Sequence, residues 1–189
     1  MNNLFFRHNN LFTALFLAKI LGNRIILGRN IVFKHCRFEI HGSKNTIIIG
    51  DDCILSGLRI YTDSDKNKLV IGKKTIVNAS KEQRTLFNPC DGGEIIIGEH
   101  CLFSNNIEIH TTDYHKILIS GIWKNVPQNV IIGEHCWIGL QSLILKGTFL
   151  AENSVVGAKS LVNKRFEEPN SIIAGNPAKI VKREVEWVY

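Results

Sequence analysis

The stretch from Ile132 to Ala158 reads IGEHCW, IGLQSL, ILKGTF, LAENSV, VGA, and it decides the fold. An aliphatic residue opens each six-residue unit, at positions 132, 138, 144, 150 and 156. A small side chain follows four places later, at positions 136, 142, 148, 154 and 160. Neither a helix nor a single strand has a period of six, whereas hexads are typical of a β-helix with one turn per roughly eighteen residues. We therefore expect a coil whose aliphatic and small residues point inward.

The coil extends towards the N-terminus through aliphatic-glycine pairs that mark successive turns. These pairs are Leu27-Gly28, Ile49-Gly50, Ile71-Gly72, Ile97-Gly98 and Ile132-Gly133. The last interval, 35 residues, far exceeds one turn, so the surplus must leave the coil as a loop. We predict a β-helix domain over residues 25–173 with an extruded loop over 110–129. Long ordered loops on rigid scaffolds often hold functional residues.

The two ends of the chain lack the hexad pattern. Apolar residues between Leu11 and Ile20 follow helical spacing, which predicts a short amphipathic helix in an N-terminal cap over residues 1–24. The apolar run is too short to span a bilayer. We expect the helix to cover the open end of the coil, with peripheral membrane contact as the alternative. Residues 174–189 form a C-terminal tail.

Composition is that of an ordinary globular protein of 189 residues, with a net charge of +6. Residues 1–48 hold seven Lys or Arg against one acid, so the basic excess lies at the N-terminal end. This excess favours contact with an anionic membrane or an acidic glycan. Three of the five cysteines, Cys53, Cys101 and Cys136, share one phase of the repeat, which predicts small interior side chains. A reducing compartment follows, so we expect a cytoplasmic protein, with contact at the inner face of the membrane as the alternative for its N-terminal end.

Three parts of the sequence together resemble the left-handed β-helix, hexapeptide-repeat acyltransferases, and especially the galactoside, maltose and polysaccharide O-acetyltransferases. These parts are the hexads up to Ser160, the loop sequence from Thr112 to His115, and the segment from Ala174 to Lys179. They cover residues 49–183, and the first 25 residues lie outside the resemblance. The resemblance implies an all-β, left-handed parallel prism, a homotrimer with its active site between neighbours, and acetyl-CoA as co-substrate without a metal. It implies a carbohydrate acceptor and no nucleic-acid partner.

The resemblance also assigns roles to individual residues. His115 is the catalytic histidine, with Asp113 and Trp137 as its catalytic neighbours. The acceptor-binding positions that it implies are Asn78 and Trp137. His110, which ends a repeat strand, and Tyr114, in the loop motif, are further acceptor-binding candidates. The cofactor-binding positions are Gly139, Ala158, Asn163, Lys164, Lys179 and Lys182. Leu140 replaces a serine of the galactoside enzymes and Asn163 replaces a threonine, so the details of cofactor packing differ from the family's pattern.

The chemistry of acetyl transfer explains why a histidine is needed. A base must take the hydroxyl proton as the oxygen attacks the thioester, and a donor must stabilise the oxyanion. Histidine titrates near neutral pH, so His115 suits the role of base, with Asp113 or a backbone carbonyl holding its ring. We expect direct attack rather than an acyl-enzyme, because no cysteine or serine lies beside a histidine in the loop.

Three other functions remain open from the sequence. A γ-carbonic-anhydrase-like zinc enzyme would use His110 and His115, but no histidine between His41 and His100 supplies a third ligand. A non-catalytic prism would keep the fold without the chemistry. Within acyl transfer, N-acetylation of an amino or nucleotide sugar competes with our preferred prediction, O-acetylation of a capsular or lipopolysaccharide glycan.

Overall fold

The computed structural model describes residues 22–189 in full and, before them, the backbone of residues 4–6. The helix predicted between Leu11 and Ile20 lies outside these described residues. Within the predicted cap, residues 4–6 form a strand, and the next strand already begins at Arg24.

The described chain is built from strands that repeat once per side of the coil. The first part contains β1 (Leu4–Phe6), β2 (Arg24–Leu27), β3 (Val32–Lys34), β4 (Arg37–Ile40), β5 (Thr46–Ile49), β6 (Ile54–Ser56), β7 (Leu58–Thr62), β8 (Lys68–Ile71), β9 (Ile76–Asn78), β10 (Thr85–Asn88), β11 (Glu94–Ile97), β12 (Leu102–Phe103) and β13 (Glu108–His110). The second part contains β14 (Leu118–Ile119), β15 (Ile122–Trp123), β16 (Val130–Ile132), β17 (Trp137–Ile138), β18 (Leu143–Ile144), β19 (Phe149–Leu150), β20 (Val155–Val156), β21 (Leu161–Val162), β22 (Arg165–Phe166), β23 (Ile172–Gly175) and β24 (Ala178–Lys182).

Three parallel sheets form the sides of a prism of about six turns. Sheet A has the order β1-β4-β7-β10-β13-β18-β21, sheet B the order β2-β5-β8-β11-β16-β19-β22, and sheet C the order β24-β23-β20-β17-β12-β9-β6-β3. Only the two outermost strands, β1 and β24, pair antiparallel with their sheets. Each coil therefore runs through sheet B, sheet C and sheet A in turn, and no helix occurs among the residues described. The predicted all-β parallel β-helix is confirmed.

The hexad pattern explains the interior. The aliphatic residues that open the hexads, from Ile132 to Val156, are at most 1% exposed. The small residues are buried too, and their hydroxyl groups bond to backbone carbonyls: Ser142 Oγ donates to Gly157 O at 3.1 Å, and Thr148 Oγ1 donates to Val162 O at 3.1 Å. A buried hydroxyl without such a partner would destabilise the coil. Small polar side chains at this position therefore fit the interior near a corner.

The corner between sheets B and C requires a left-handed backbone once per coil. His100 and His135 adopt φ values of 58° and 51° there, and Asn153 and Asn170 adopt 57° and 54°. Histidine and asparagine tolerate this conformation better than most residues. His100 and His135 are thus corner residues. The stacked cysteines Cys53, Cys101 and Cys136 are free and fully buried, as predicted.

The outer faces of the sheets differ in polarity. On sheet C, one apolar residue per coil stands in register along the outside: Val32, Ile54, Ile76, Leu102, Trp137, Val155 and Ile172. We call this row the apolar ladder. On sheet A, by contrast, Glu39 lies buried between Arg37 and Arg59 and pairs with both.

The coil continues beyond the last hexad. The hexad pattern stops after Leu161, but Arg165 and Phe166 extend sheet B as β22. Phe166 is only 4% exposed, because its ring fills the interior position that the hexad aliphatic residue usually takes. The C-terminal segment from residue 174 begins inside β23 and continues as β24 at the edge of sheet C. A membrane-crossing helix is not found in the described part of the chain.

Candidate active site

The extruded loop leaves the coil after β13 and returns at β16, at the corner between sheets A and B. Its outer part is the hairpin β14–β15, whose turn residues Ser120 and Gly121 have φ values of 51° and 75°. Two successive residues with positive φ suit a two-residue hairpin turn. The loop therefore has a defined conformation of its own.

Asn125 and Lys146 hold the base of the loop. The Asn125 Nδ2 group donates to Asp113 Oδ2 at 3.0 Å and to the backbone oxygen of His115 at 2.7 Å. The same asparagine accepts from Ile117 N at 2.6 Å through its Oδ1. From the coil, Lys146 Nζ donates to Asp113 Oδ2 at 2.5 Å and to Asn125 O at 2.9 Å. These bonds fix the backbone on either side of His115.

The Lys146 ammonium also sets the charge of Asp113. It holds the pKa of the Asp113 carboxyl below its usual range, and the Asn125 amide adds to the effect. The carboxylate thus bonds to Lys146 and Asn125. We find no bond from it to the imidazole of His115 among the described residues, so Asp113 acts on His115 through the backbone: the amide N of His115 donates to Asp113 O at 2.7 Å.

His115 lies exposed at a cleft of about 330 Å³. The cleft is lined by Asp91, Thr112, Tyr114, His115, Lys116, Trp123 and Asn125. Lys116 Nζ lies 4.5 Å from the centroid of the Trp123 ring, and the Trp123 indole donates to Asn125 Oδ1 at 3.0 Å. The cleft therefore offers an imidazole, an indole and a cation to a ligand at the same place.

Tyr114 and His110 lie beside this cleft on the end of sheet A. The Asn88 Nδ2 group donates to Tyr114 OH at 2.7 Å, and burial raises the pKa of Tyr114 to about 12, so the phenol stays protonated. His110 Nε2 lies 3.0 Å from a carboxylate oxygen of Glu108. The other ring nitrogen, His110 Nδ1, is buried and has no hydrogen-bond partner among the described residues.

The predicted residues on sheet C lie elsewhere on the coil. Trp137 is 39% exposed on the outer face, and its Nε1 lies 3.4 Å from Ser104 Oγ. Asn78 is exposed at the end of β9. Gly139 follows the end of β17, which lies two coils further along sheet C. A Cβ at Gly139 would lie 2.7 Å from the backbone nitrogen of Ala158, so this glycine is required by the stacking of the coils.

The predicted cofactor residues divide between two places. Lys179 and Lys182 are exposed on β24 at the edge of sheet C, next to the coil that contains Ala158. Asn163 and Lys164 are exposed between β21 and β22, at the same A–B corner as the loop. Lys164 Nζ lies 5.3 Å from the Phe166 ring.

All predicted site residues therefore fall into two groups. The loop group, at the A–B corner, contains His110, Asp113, Tyr114, His115, Asn163 and Lys164. The strand group, on sheet C and its corner with sheet A, contains Asn78, Trp137, Gly139, Ala158, Lys179 and Lys182. Sheet A lies between the two corners, and within the described chain no hydrogen bond or ring contact joins the groups.

A metal site does not form among the described residues, since no three His, Cys, Asp or Glu side chains come together there. The pair His110 and His115 lacks a third ligand, and Glu108 already occupies one nitrogen of His110.

Sequence reasoning missed Lys146, Asn125 and Trp123. Lys146 lies in the hexad ILKGTF at a solvent position that any polar residue can take, and its partner Asp113 is 33 residues away. Asn125 lies in a segment without periodicity. Only its position between a hairpin and a proline, where asparagine side chains commonly bond to the backbone, pointed to a structural role.

Comparison with known proteins identifies relatives over half of the chain. No protein-family model matches it. The chain is 35% identical to a polysialic acid O-acetyltransferase of Neisseria meningitidis over 97 residues. These residues make up 50% of this chain and 45% of that protein. It is 30% identical to the galactoside O-acetyltransferase of Escherichia coli K12 over 95 residues. These residues make up 49% of this chain and 45% of that protein. The match thus spans less than half the length of these curated relatives.

Solved structures extend the likeness of the fold to most of the chain. The crystal structure of the polySia-specific acetyltransferase NeuO matches with a TM-score of 0.66 at 24% identity, over 89% of this chain and 85% of that one. The Bacillus cereus N-acyltransferase AntD, in complex with dTDP and coenzyme A, matches with a TM-score of 0.60 at 19% identity, over 96% and 91% of the two chains. The homologues of this chain are thus O-acetyltransferases of the hexapeptide-repeat family, and its fold is the left-handed β-helix of those enzymes.

Proposed function

We propose that the protein transfers an acetyl group from acetyl-CoA to a hydroxyl group of a bacterial surface glycan. The observation that carries the proposal is the placement of His115. It lies exposed in a cleft on an extruded loop whose base is fixed by Asn125 and Lys146. A general base needs such a position, accessible to substrate but held in a defined place.

In the proposed reaction, the sugar hydroxyl attacks the thioester carbonyl carbon while His115 takes its proton. The C–S bond then breaks, and the imidazolium returns the proton to the CoA thiolate. The same histidine takes the proton and returns it. The acetyl group passes directly from the CoA sulfur to the sugar oxygen, so no acyl-enzyme forms. The Asn125 bond to the His115 carbonyl holds the loop backbone during both transfers. Tyr114, as a neutral phenol beside His115, is suited to donate to the acceptor or to the developing oxyanion.

The site is completed, in this proposal, by a second copy of the chain. The loop group holds the base and the strand group holds the acceptor-binding Asn78 and Trp137, yet they lie on different corners of one prism. A homotrimer places the loop corner of one copy against sheet C of the next. The apolar ladder on sheet C supports this arrangement, because Ile54 is 42% exposed and Val32 is 42% exposed in the single chain.

A glycan acceptor is supported by the chemistry of the cleft and by the relatives. Indole rings such as those of Trp123 and Trp137 stack on sugar faces, and amide and hydroxyl groups bond to sugar hydroxyls. The two curated relatives are named for polysialic acid and galactoside acceptors. Acetyl-CoA is the matching donor, with the exposed Lys164, Lys179 and Lys182 available for its phosphates. A cytoplasmic site of action and contact of the N-terminal end with the membrane stay predictions.

An acceptor screen tests the proposal. Thiol release from acetyl-CoA is measured with polysialic acid, other acidic polysaccharides, a simple galactoside and an amino sugar. Release with a polysaccharide supports the proposal, and release with only the amino sugar favours N-acetylation. If acetyl-CoA neither reacts with any acceptor nor raises the melting temperature of the protein, the chain is a non-catalytic prism.

A further inference from the structure

Residues 185–189 form an aromatic strap across the corner between sheets B and C. Three hydrogen bonds attach it, each to the carbonyl of a corner residue with a left-handed backbone. Val185 N donates to Asn170 O at 2.9 Å, Trp187 Nε1 donates to His135 O at 2.9 Å, and Tyr189 OH donates to His100 O at 2.7 Å. The strap therefore crosses several coils and ties them together on the outside.

Trp187 is the fixed centre of this strap. Its side chain is buried, with only 9% of the residue exposed. The indole stacks on the His135 imidazole with a centroid distance of 4.1 Å and an angle of 8°. The Tyr189 ring lies edge-on at 5.2 Å. A stacked ring with a hydrogen bond at its edge can neither slide nor flip without losing one of these contacts.

Trp187 also contacts the exposed indole of Trp137. The two ring centroids are 6.1 Å apart with an angle of 43°. On the coil itself, the hydrogen bond that restrains the Trp137 indole is the long 3.4 Å contact to Ser104 Oγ, which is weak. Beside its neighbours in the apolar ladder, Leu102 and Val155, the Trp187 ring therefore restrains the orientation of Trp137 on the outer face of sheet C.

We propose that Trp187 is a positioning residue for the acceptor site, acting through Trp137. This inference rests on the proposed function, in which Trp137 contacts the acceptor. Trp187 itself is buried, stacked on the His135 ring, and in this proposal does not touch the substrate. Its role is to hold one orientation of the Trp137 indole, so that the sugar meets a preformed surface.

A double-mutant cycle with Trp187→Leu and Trp137→Ala tests the proposal by kinetics. We expect Trp187→Leu to raise the KM for the acceptor or lower kcat by about tenfold and to leave the KM for acetyl-CoA unchanged. Trp187→Phe should recover part of the loss. In the Trp137→Ala background, Trp187→Leu should have almost no further effect. Val188→Ala is the matched control, since Val188 lies in the same strap and is 80% exposed.

Two kinetic outcomes overturn the proposal. One is an equal loss from Trp187→Leu in both backgrounds, which would mean that Trp187 acts through the coil and not through Trp137. The other is wild-type kinetics in a Trp187→Leu variant. A melting temperature for every variant separates these cases from general unfolding.

A spectroscopic readout keeps the inference separate from the proposed activity. In protein labelled with 5-fluorotryptophan, the Trp137 fluorine resonance is assigned by substitution. It should be single and sharp in the wild type and in Val188→Ala, and broadened or split in Trp187→Leu. A single sharp resonance in Trp187→Leu overturns the positioning role. Broadening in a protein without any transferase activity instead contradicts the proposed function and leaves the contact between the two rings established.

Discussion

At the scale of single residues, the bonds around Asp113 decide how firmly His115, the proposed base, is held. Lys146 lies on the rigid coil, and Asp113 lies in the loop two residues before His115, so their ion pair joins the scaffold to the loop at His115. The Lys146 side chain is only 16% exposed, whereas Asp113 is 39% exposed. Solvent therefore screens the attraction between the two charges only in part. The main effect of the ion pair is on the position of the loop.

Replacing Lys146 by methionine should loosen the loop more than the fold. We expect a fall of less than about 1 kcal/mol in the free energy of unfolding, because exposed pairs contribute little. We expect kcat to fall by roughly tenfold, because His115 is less well placed. Hydrogen exchange of the amides of residues 113–125 should speed up in the variant, and unchanged exchange there would contradict the anchoring role.

The same pair predicts a pH dependence with a definite sign. Lys146 lowers the pKa of Asp113 in the folded protein, so the ion pair stabilises the fold above the ordinary carboxyl pKa and is lost as the pH falls through the lowered value. The stability difference between wild type and Lys146→Met should thus be constant at neutral pH and shrink below about pH 4. A difference that grows on acidification would show that the pairing is wrong.

The residues around His115 show how far a sequence can be interpreted without a structure. Interior positions follow a period of six, so Ile132 to Ser160 could be assigned from spacing alone. The loop motif predicts His115 as the base, and that role stays a prediction. Lys146, Asn125 and Trp187 could not, because their partners are distant in sequence and nothing periodic links them. Only the folded coil brings Trp187 within 6.1 Å of Trp137.

At the scale of structural elements, the glycines that begin each coil set the spacing between coils. A Cβ at Gly98 would lie 2.6 Å from Glu134 N, in the backbone of the next coil. The strands of neighbouring coils cannot move apart there, because they are bonded on both sides of the corner, for example by Gly98 N to Ile132 O at 2.8 Å. The aliphatic-glycine pairs noticed in the sequence are thus a requirement of close stacking.

Gly98→Ala should consequently destabilise the protein by about 2–4 kcal/mol, measured by chemical denaturation. Gly92→Asn is the matched control. Gly92 has a φ of 74°, which asparagine tolerates, and nothing lies within 4 Å of a Cβ placed there. Equal stabilities of the two variants would contradict the stacking explanation.

At the scale of the whole molecule, the separation of the loop group from the strand group is the observation behind the proposed homotrimer. The proposed homotrimer should elute at three times the 21.4 kDa of the chain. Its sites should each combine His115 of one copy with Trp137 of another. A matching test co-expresses two impaired variants, His115→Asn, which lacks the proposed base, and Trp137→Ala, which keeps a low but measurable activity.

The mixed trimers should recover roughly a quarter of the wild-type activity, because about one interface in four then pairs an intact His115 with an intact Trp137. Each variant alone should stay well below that level. If the mixture is no more active than its components, although the trimers have exchanged subunits, the two groups act within one chain and the proposed arrangement is wrong.

The most direct test of the central claim is the rate of thiol release from acetyl-CoA by His115→Asn with the best glycan acceptor. Asparagine keeps polar side-chain atoms there but cannot take a proton at neutral pH. We predict a fall in kcat of roughly 10²- to 10⁴-fold, with unchanged affinity for acetyl-CoA and with wild-type rates for the control His35→Asn. A rate for His115→Asn close to that of the wild type would contradict the assignment of His115 as the general base.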